Sequence, residues 1–72
     1  MRTPAEENLT SREIEVLELV SKGNSNKQVA RSLHISTATV KTHLIHIFDK
    51  LAVKDRTSAV TVALEKGILS LD

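Results

Sequence analysis

The sequence has no cysteine, no tryptophan and no tyrosine, one phenylalanine, one proline and two glycines among its 72 residues. Without cysteine, neither a disulfide nor a thiolate zinc site can brace the fold. Phe48 is the only aromatic residue, so the core must rest on aliphatic packing. Gly23 and Gly67 both stand where helices are expected to end, which leaves no glycine-rich loop to cradle a phosphate. No apolar run approaches the ~18–20 residues needed to span a bilayer. The start, Met1-Arg2-Thr3-Pro4, lacks the apolar core of a signal peptide. These absences point to a reducing, cytoplasmic setting, with no membrane as partner and no cofactor. A chain this short holds one domain and buries only about 60–65% of its unfolded surface, so its stability should be modest.

What is present is unevenly placed. Residues 1–20 carry Arg2 and Arg12 against five glutamates, a net of −3. Residues 21–56 carry seven Lys/Arg against Asp49 and Asp55, a net of +5, and residues 57–72 add −1. A basic middle beside an acidic start suggests one face for an anionic partner. Clustering on a solvated surface is the plainer reading of the charge taken alone.

Residues 1–8 are polar, hold the only proline and show no period; they read as a linker or disordered N-terminus. From Leu9 onward, helix signals recur, and strand signals are weak throughout. The spacing predicts an all-α, four-helix bundle with helices over about 11–21, 26–33, 37–51 and 56–66, forming one domain over 9–72. Thr10 and Glu13 make a capping box for the first helix, in which hydroxyl and carboxylate each take one orphan amide. Leu9 can staple onto Ile14, and Val16, Leu17 and Val20 give a buried stripe. Ser25 and Gln28 make a second capping box, ahead of Val29, Ala30 and Leu33 facing inward. Ser36 caps the third helix, whose inner face should hold Val40, Leu44, Ile47, Phe48 and Leu51. Its opposite face carries Ala38, Lys41, Thr42, Ile45 and Asp49. Asp55 caps the fourth helix, with Ala59, Val60, Ala63 and Leu64 inward and Ser58, Thr61, Val62 and Glu65 outside. The apolar tail from Ile68 to Leu71 should fold back on the core.

Only His34, Ile35 and the cap Ser36 separate the second helix from the third. So short a turn forces a steep crossing, as in a helix-turn-helix. The outward chemistry fits double-stranded DNA. Ser36, Thr37, Ala38 and Thr39 are small, and the amides and hydroxyls of this helix start can donate to phosphates. Lys41 and Thr42 sit one turn in, where a recognition helix reaches base edges. Lysine can donate to guanine O6 and N7, while a threonine methyl can touch thymine. Ile45, a turn further on, offers only an apolar contact. Ser25, Asn26 and Lys27 at the start of the second helix form one phosphate clamp, and Lys54 with Arg56 forms another.

The pattern Leu9-Thr10-x-Arg12-Glu13-x-Glu15-Val16-Leu17-x-Leu19-Val20, then Gly23, then Asn26-Lys27-Gln28-Val29-Ala30-x-x-Leu33, then Ile35-Ser36-x-x-Thr39-Val40-Lys41-x-His43 resembles the LuxR-type (NarL/FixJ/GerE-like) helix-turn-helix domain. Lys50-Leu51-x-Val53 and Arg56-Thr57-x-Ala59-Val60 continue the match, so the resemblance covers about residues 9–69. It implies bacterial transcription regulation, with base contacts from Ala38, Lys41, Thr42 and Ile45. Phosphate contacts are implied near Asn26, Lys27, Thr39, His43 and His46. It also implies homodimers on DNA through the fourth helix, at Ser58, Thr61 and Val62. The chain would then be the C-terminal output domain of a two-component response regulator, with a receiver domain whose phosphorylation controls access to the third helix. Two positions depart from the pattern. Relatives often hold a polar or basic residue at Ile45, which weakens base reading there or directs it to thymine. Ile14 occupies a commonly polar position.

Rival chemistry finds little support. His43 and His46 are three apart on one helix, but no third metal ligand follows at fixed spacing. No nucleophile and base stand at a meaningful spacing, so no enzyme activity is expected. The remaining alternative is a helical interaction module that docks on RNA polymerase or a partner regulator without reading bases.

Overall fold

The computed structural model describes residues 9–70, and all regular structure there is helical. The helices are α1 (Ser11–Ser21), α2 (Asn26–Leu33), α3 (Thr37–Leu51) and α4 (Arg56–Glu65). They begin where the caps predict. The Thr10 hydroxyl accepts from the Glu13 amide at 3.1 Å while the Thr10 amide donates to Glu13 Oε1 at 3.0 Å. Ser25 and Gln28 repeat the arrangement at 3.2 and 2.8 Å. Ser36 Oγ accepts from the Thr39 amide, and Asp55 Oδ1 from the Ser58 amide. Each cap satisfies an amide that the helix itself cannot, worth ~1 kcal/mol apiece. α4 ends at Glu65 rather than Lys66, a one-residue difference at a fraying end.

Helices α2 and α3 both end on left-handed residues that are not glycine. His34 has φ 59° and Ala52 has φ 59°. In each case the next amide folds back: Ile35 N donates to the Ala30 carbonyl at 3.0 Å, and Val53 N to the Phe48 carbonyl at 2.9 Å. The bond closes the helix, but a side chain in this conformation costs about 1–2 kcal/mol.

The core is aliphatic. Val16, Leu17, Val29, Val40 and Ile47 are fully buried, each contributing ~1.5–3 kcal/mol through the water-excluded surface. α3 packs against all three other helices and is the spine of the fold. Ala59 and Ala63 are fully enclosed, and their small side chains let α4 lie close to its neighbours. Four expected core positions are only half-buried: Leu33, Phe48, Val60 and Leu64. Val62, expected outside, is half-buried and packs against the core. Val60, Leu64 and Val62 flank the buried Ala59–Ala63 line on both sides, so the apolar arc of α4 is too broad for periodicity alone to set its orientation. The tail returns as expected, with Leu69 buried and Ile68 half-buried. Leu71 and the linker assigned to residues 1–8 lie outside the described residues.

Candidate nucleic-acid interface

The turn between α2 and α3 is His34, Ile35 and Ser36, with Ile35 packed against the core as its anchor. Beyond it, α3 presents its inner face to the bundle and its outer face to solvent. Val40, Leu44, Ile47 and Leu51 are buried, whereas Ala38, Lys41, Thr42 and Ile45 are all exposed. The four residues expected to read bases therefore share one open surface. Ile45 is the one large apolar side chain exposed among the described residues, at 64%. Beside it, Lys41, Leu44, Ile45 and Phe48 of α3 form a shallow cleft of about 300 Å³ with Asn26 and Arg56. Thr42 Oγ1 donates to the Ala38 carbonyl at 3.1 Å, within the helix.

The residues expected at phosphates fall into two groups. Lys27, Thr37 and Lys54 are exposed, and among the described residues no ion pair reaches either lysine. Ser25, Ser36 and Thr39 are exposed too, but their hydroxyls already serve the helix starts; Ser36 Oγ and Thr39 Oγ1 lie 2.8 Å apart. Asn26 and Arg56 form the second group, together with the imidazoles. Arg56 Nη1 donates to Asn26 Oδ1 at 2.6 Å, and Nη2 to the Asn24 carbonyl at 3.0 Å. This fork ties the first residue of α4 to the first residue of α2. His43 is half-buried, and exposed His46 places Nδ1 4.0 Å from Glu13 Oε2.

Glu13 does more than the sequence alone shows. It caps α1, and its side chain, 4% exposed, also accepts from Lys50 Nζ at 2.8 Å. Burial by itself pushes its carboxyl up. Hydrogen bonds from Lys50 and the Thr10 amide, with the charges of Lys50 and His46, outweigh that and hold it below the ordinary carboxylate range. The pair pins the start of α1 to the last turn of α3. Each helix of the turn motif is thus braced from outside it, α3 by Glu13 and α2 by Arg56. Partners 37 and 30 residues apart leave no periodic signal in a single sequence.

On α4, Thr61 is exposed and bonds the Thr57 carbonyl of its own helix, while Ser58 and Val62 are half-buried. A second shallow cleft runs along this side between Val20 and Ser21 of α1 and Thr57, Val60 and Thr61 of α4.

A short-turn helix pair on a braced spine, with an open helix face, defines a helix-turn-helix. The chain belongs to the luxR family of bacterial regulatory proteins, whose family model matches residues 7–63. It is 48% identical over 63 residues to the response regulator protein VraR of Staphylococcus aureus, covering 88% of this chain and 30% of that protein. The VraR of Staphylococcus epidermidis matches to the same extent. The response regulator ChrA of a heme-sensing two-component system superposes with a TM-score of 0.84 at 46% identity, over 96% of this chain and 32% of that one. The transcription factor GerE superposes with a TM-score of 0.84 at 39% identity, over 89% of this chain and 96% of its own. The chain thus spans about a third of the response regulators it matches and nearly all of GerE. No helix among the described residues is long and apolar enough to cross a membrane.

Proposed function

We propose that α3 lies in the major groove, with Ala38, Lys41, Thr42 and Ile45 against base edges. Lys27, Thr37 and Lys54 then meet phosphates, with further contacts from Ser25, Asn26, Ser36, Thr39, His43, His46 and Arg56. The observation that carries this reading is the exposure of all four residues on one helix whose other face is buried. Lys41 is the cation best placed to mark a guanine.

The likeness to VraR and ChrA supports a wider setting. The domain is the output part of a two-component response regulator in the cytoplasm, with a receiver domain as its partner in the longer protein. Two copies pair on DNA through α4, at Ser58, Thr61 and Val62. Their half-sites should lie about one helical turn, roughly 10 bp, apart. Half-buried Ser58 and Val62 leave little free surface, so pairing off DNA should be weak. A stable dimer at micromolar concentration in analytical ultracentrifugation would contradict that.

The reading is tested by selecting sites from random duplex DNA at two salt concentrations. A defined motif should emerge at both, with affinity falling steeply at the higher salt because phosphate contacts release counterions. Failure to enrich any motif would favour an interaction module that docks on RNA polymerase or a partner regulator.

A further inference from the structure

Ala38, Thr42 and Ile45 follow one another along α3 at steps of four and three, so they form a single stripe. Each is exposed. Thr42 is the only one with a polar side chain, and its hydroxyl proton is committed to the Ala38 carbonyl at 3.1 Å, as is common for threonine inside a helix. What Thr42 still offers a partner is a methyl group and a lone pair. Ala38 offers a methyl group. Ile45 offers an alkyl chain that is 64% open to solvent. An isolated exposed isoleucine would mean little, but this one continues a run of methyl groups beside Lys41. Lys41 is the only lysine or arginine of α3 before Lys50.

The geometry also bounds the stripe. At 1.5 Å rise per residue, Ala38 to Ile45 spans about 10 Å, or about three base-pair steps. The next residue on that side is Asp49, whose carboxylate is repelled by phosphates. Thymine carries a C5-methyl group in the major groove, beside its O4 acceptor, and that methyl is the apolar mark by which an apolar side chain picks it out.

We propose that the Ala38–Thr42–Ile45 stripe specifies thymine by its methyl group, through apolar contact rather than hydrogen bonding, within about three base pairs of the base marked by Lys41. This rests on α3 being the reading helix. Thr42 and Ile45 are the specificity-determining pair, and Lys41 supplies the polar mark that orients them.

The test uses the site selected by the full chain, with each thymine replaced in turn by deoxyuridine. That exchange removes the methyl group and leaves base pairing intact. At one or two positions the affinity should fall about fourfold, the effect of one methyl-sized apolar contact. Ile45→Ala should bind thymine and uracil equally at one such position. Thr42→Val, which keeps the methyl and loses the hydroxyl, should bind as the parent does, while Thr42→Ser should lose the preference at its position. Both residues are exposed, so unchanged thermal melting should accompany these variants. Equal binding of thymine and uracil by the parent would overturn the proposal, as would a loss with Thr42→Val and none with Thr42→Ser. If Lys41→Ala still weakens the site in that event, only the methyl reading falls. If Lys41→Ala has no effect, the reading of α3 falls with it.

Discussion

Near its C-terminal end α3 turns Lys50 back toward the protein, where Nζ meets Glu13 at 2.8 Å; about two and a half turns earlier, on the opposite side, it turns Lys41 out to solvent. The same contrast recurs between Arg56, which is forked onto Asn26 and the Asn24 carbonyl, and Lys54, which is exposed two residues before it. The basic middle of the chain is therefore not one uniform patch. Part of its charge holds α2 and α3 in place, and part of it stands ready for an anionic partner. A cation already held within the fold has fewer donors left for a phosphate, and its position is fixed by the protein; an exposed one gives up only water. The difference separates residues whose loss should destabilise the fold from residues whose loss should only weaken DNA binding.

The largest expected effect lies on the internal side. Glu13→Ala removes a cap together with the ion pair that ties α1 to α3, which should cost about 3 kcal/mol of stability in thermal or urea melting. The same pair gives a pH signature. The folded-state pKa of Glu13 lies below its unfolded value, so its ionised form contributes stability at neutral pH. That contribution disappears as the pH falls through the folded-state pKa, beneath the ordinary carboxylate range. Stability of the parent should therefore drop in acid more steeply than that of Glu13→Gln, and parallel curves would break the assignment. Arg56→Ala comes next: losing the fork to Asn26 and Asn24 should cost about 1–2 kcal/mol of stability. If Arg56 also meets a phosphate, the slope of log affinity against log salt falls by about 1 as well. An unchanged slope with lowered stability would place it wholly on the structural side. The smallest effect has the opposite sign. Ala52→Gly relieves the left-handed backbone at the end of α3 and should raise stability by about 0.5–1 kcal/mol with no change in DNA affinity.

Much of this was legible in the sequence because it is local. The Thr10–Glu13 and Ser25–Gln28 boxes, the Ser36 and Asp55 caps and the spacing of Val40, Leu44, Ile47 and Leu51 each act within a turn or two of helix, and the structure places all of them as expected. The outward set of Ala38, Lys41, Thr42 and Ile45 follows from the same periodicity. What was not legible depends on packing between distant segments. Glu13 reads as a cap because nothing nearby announces Lys50. Arg56 reads as a free cation because Asn26 lies 30 residues away, across α2 and α3. His34 and Ala52 adopt positive φ without being glycine, so the usual marker is missing. In α4, Val60, Val62 and Leu64 flank the Ala59–Ala63 line on both sides, and only the packed bundle decides how far each is covered.

The most direct measurement pairs DNA affinity with melting temperature for Lys41→Ala, on the selected site and on single-base variants of it. The loss should be about 1–3 kcal/mol, confined to one base pair, with the melting temperature unchanged. A Lys41→Ala protein that binds every sequence as the parent does, or that loses stability as Glu13→Ala should, would contradict the division of α3 into a braced inner side and a reading outer one.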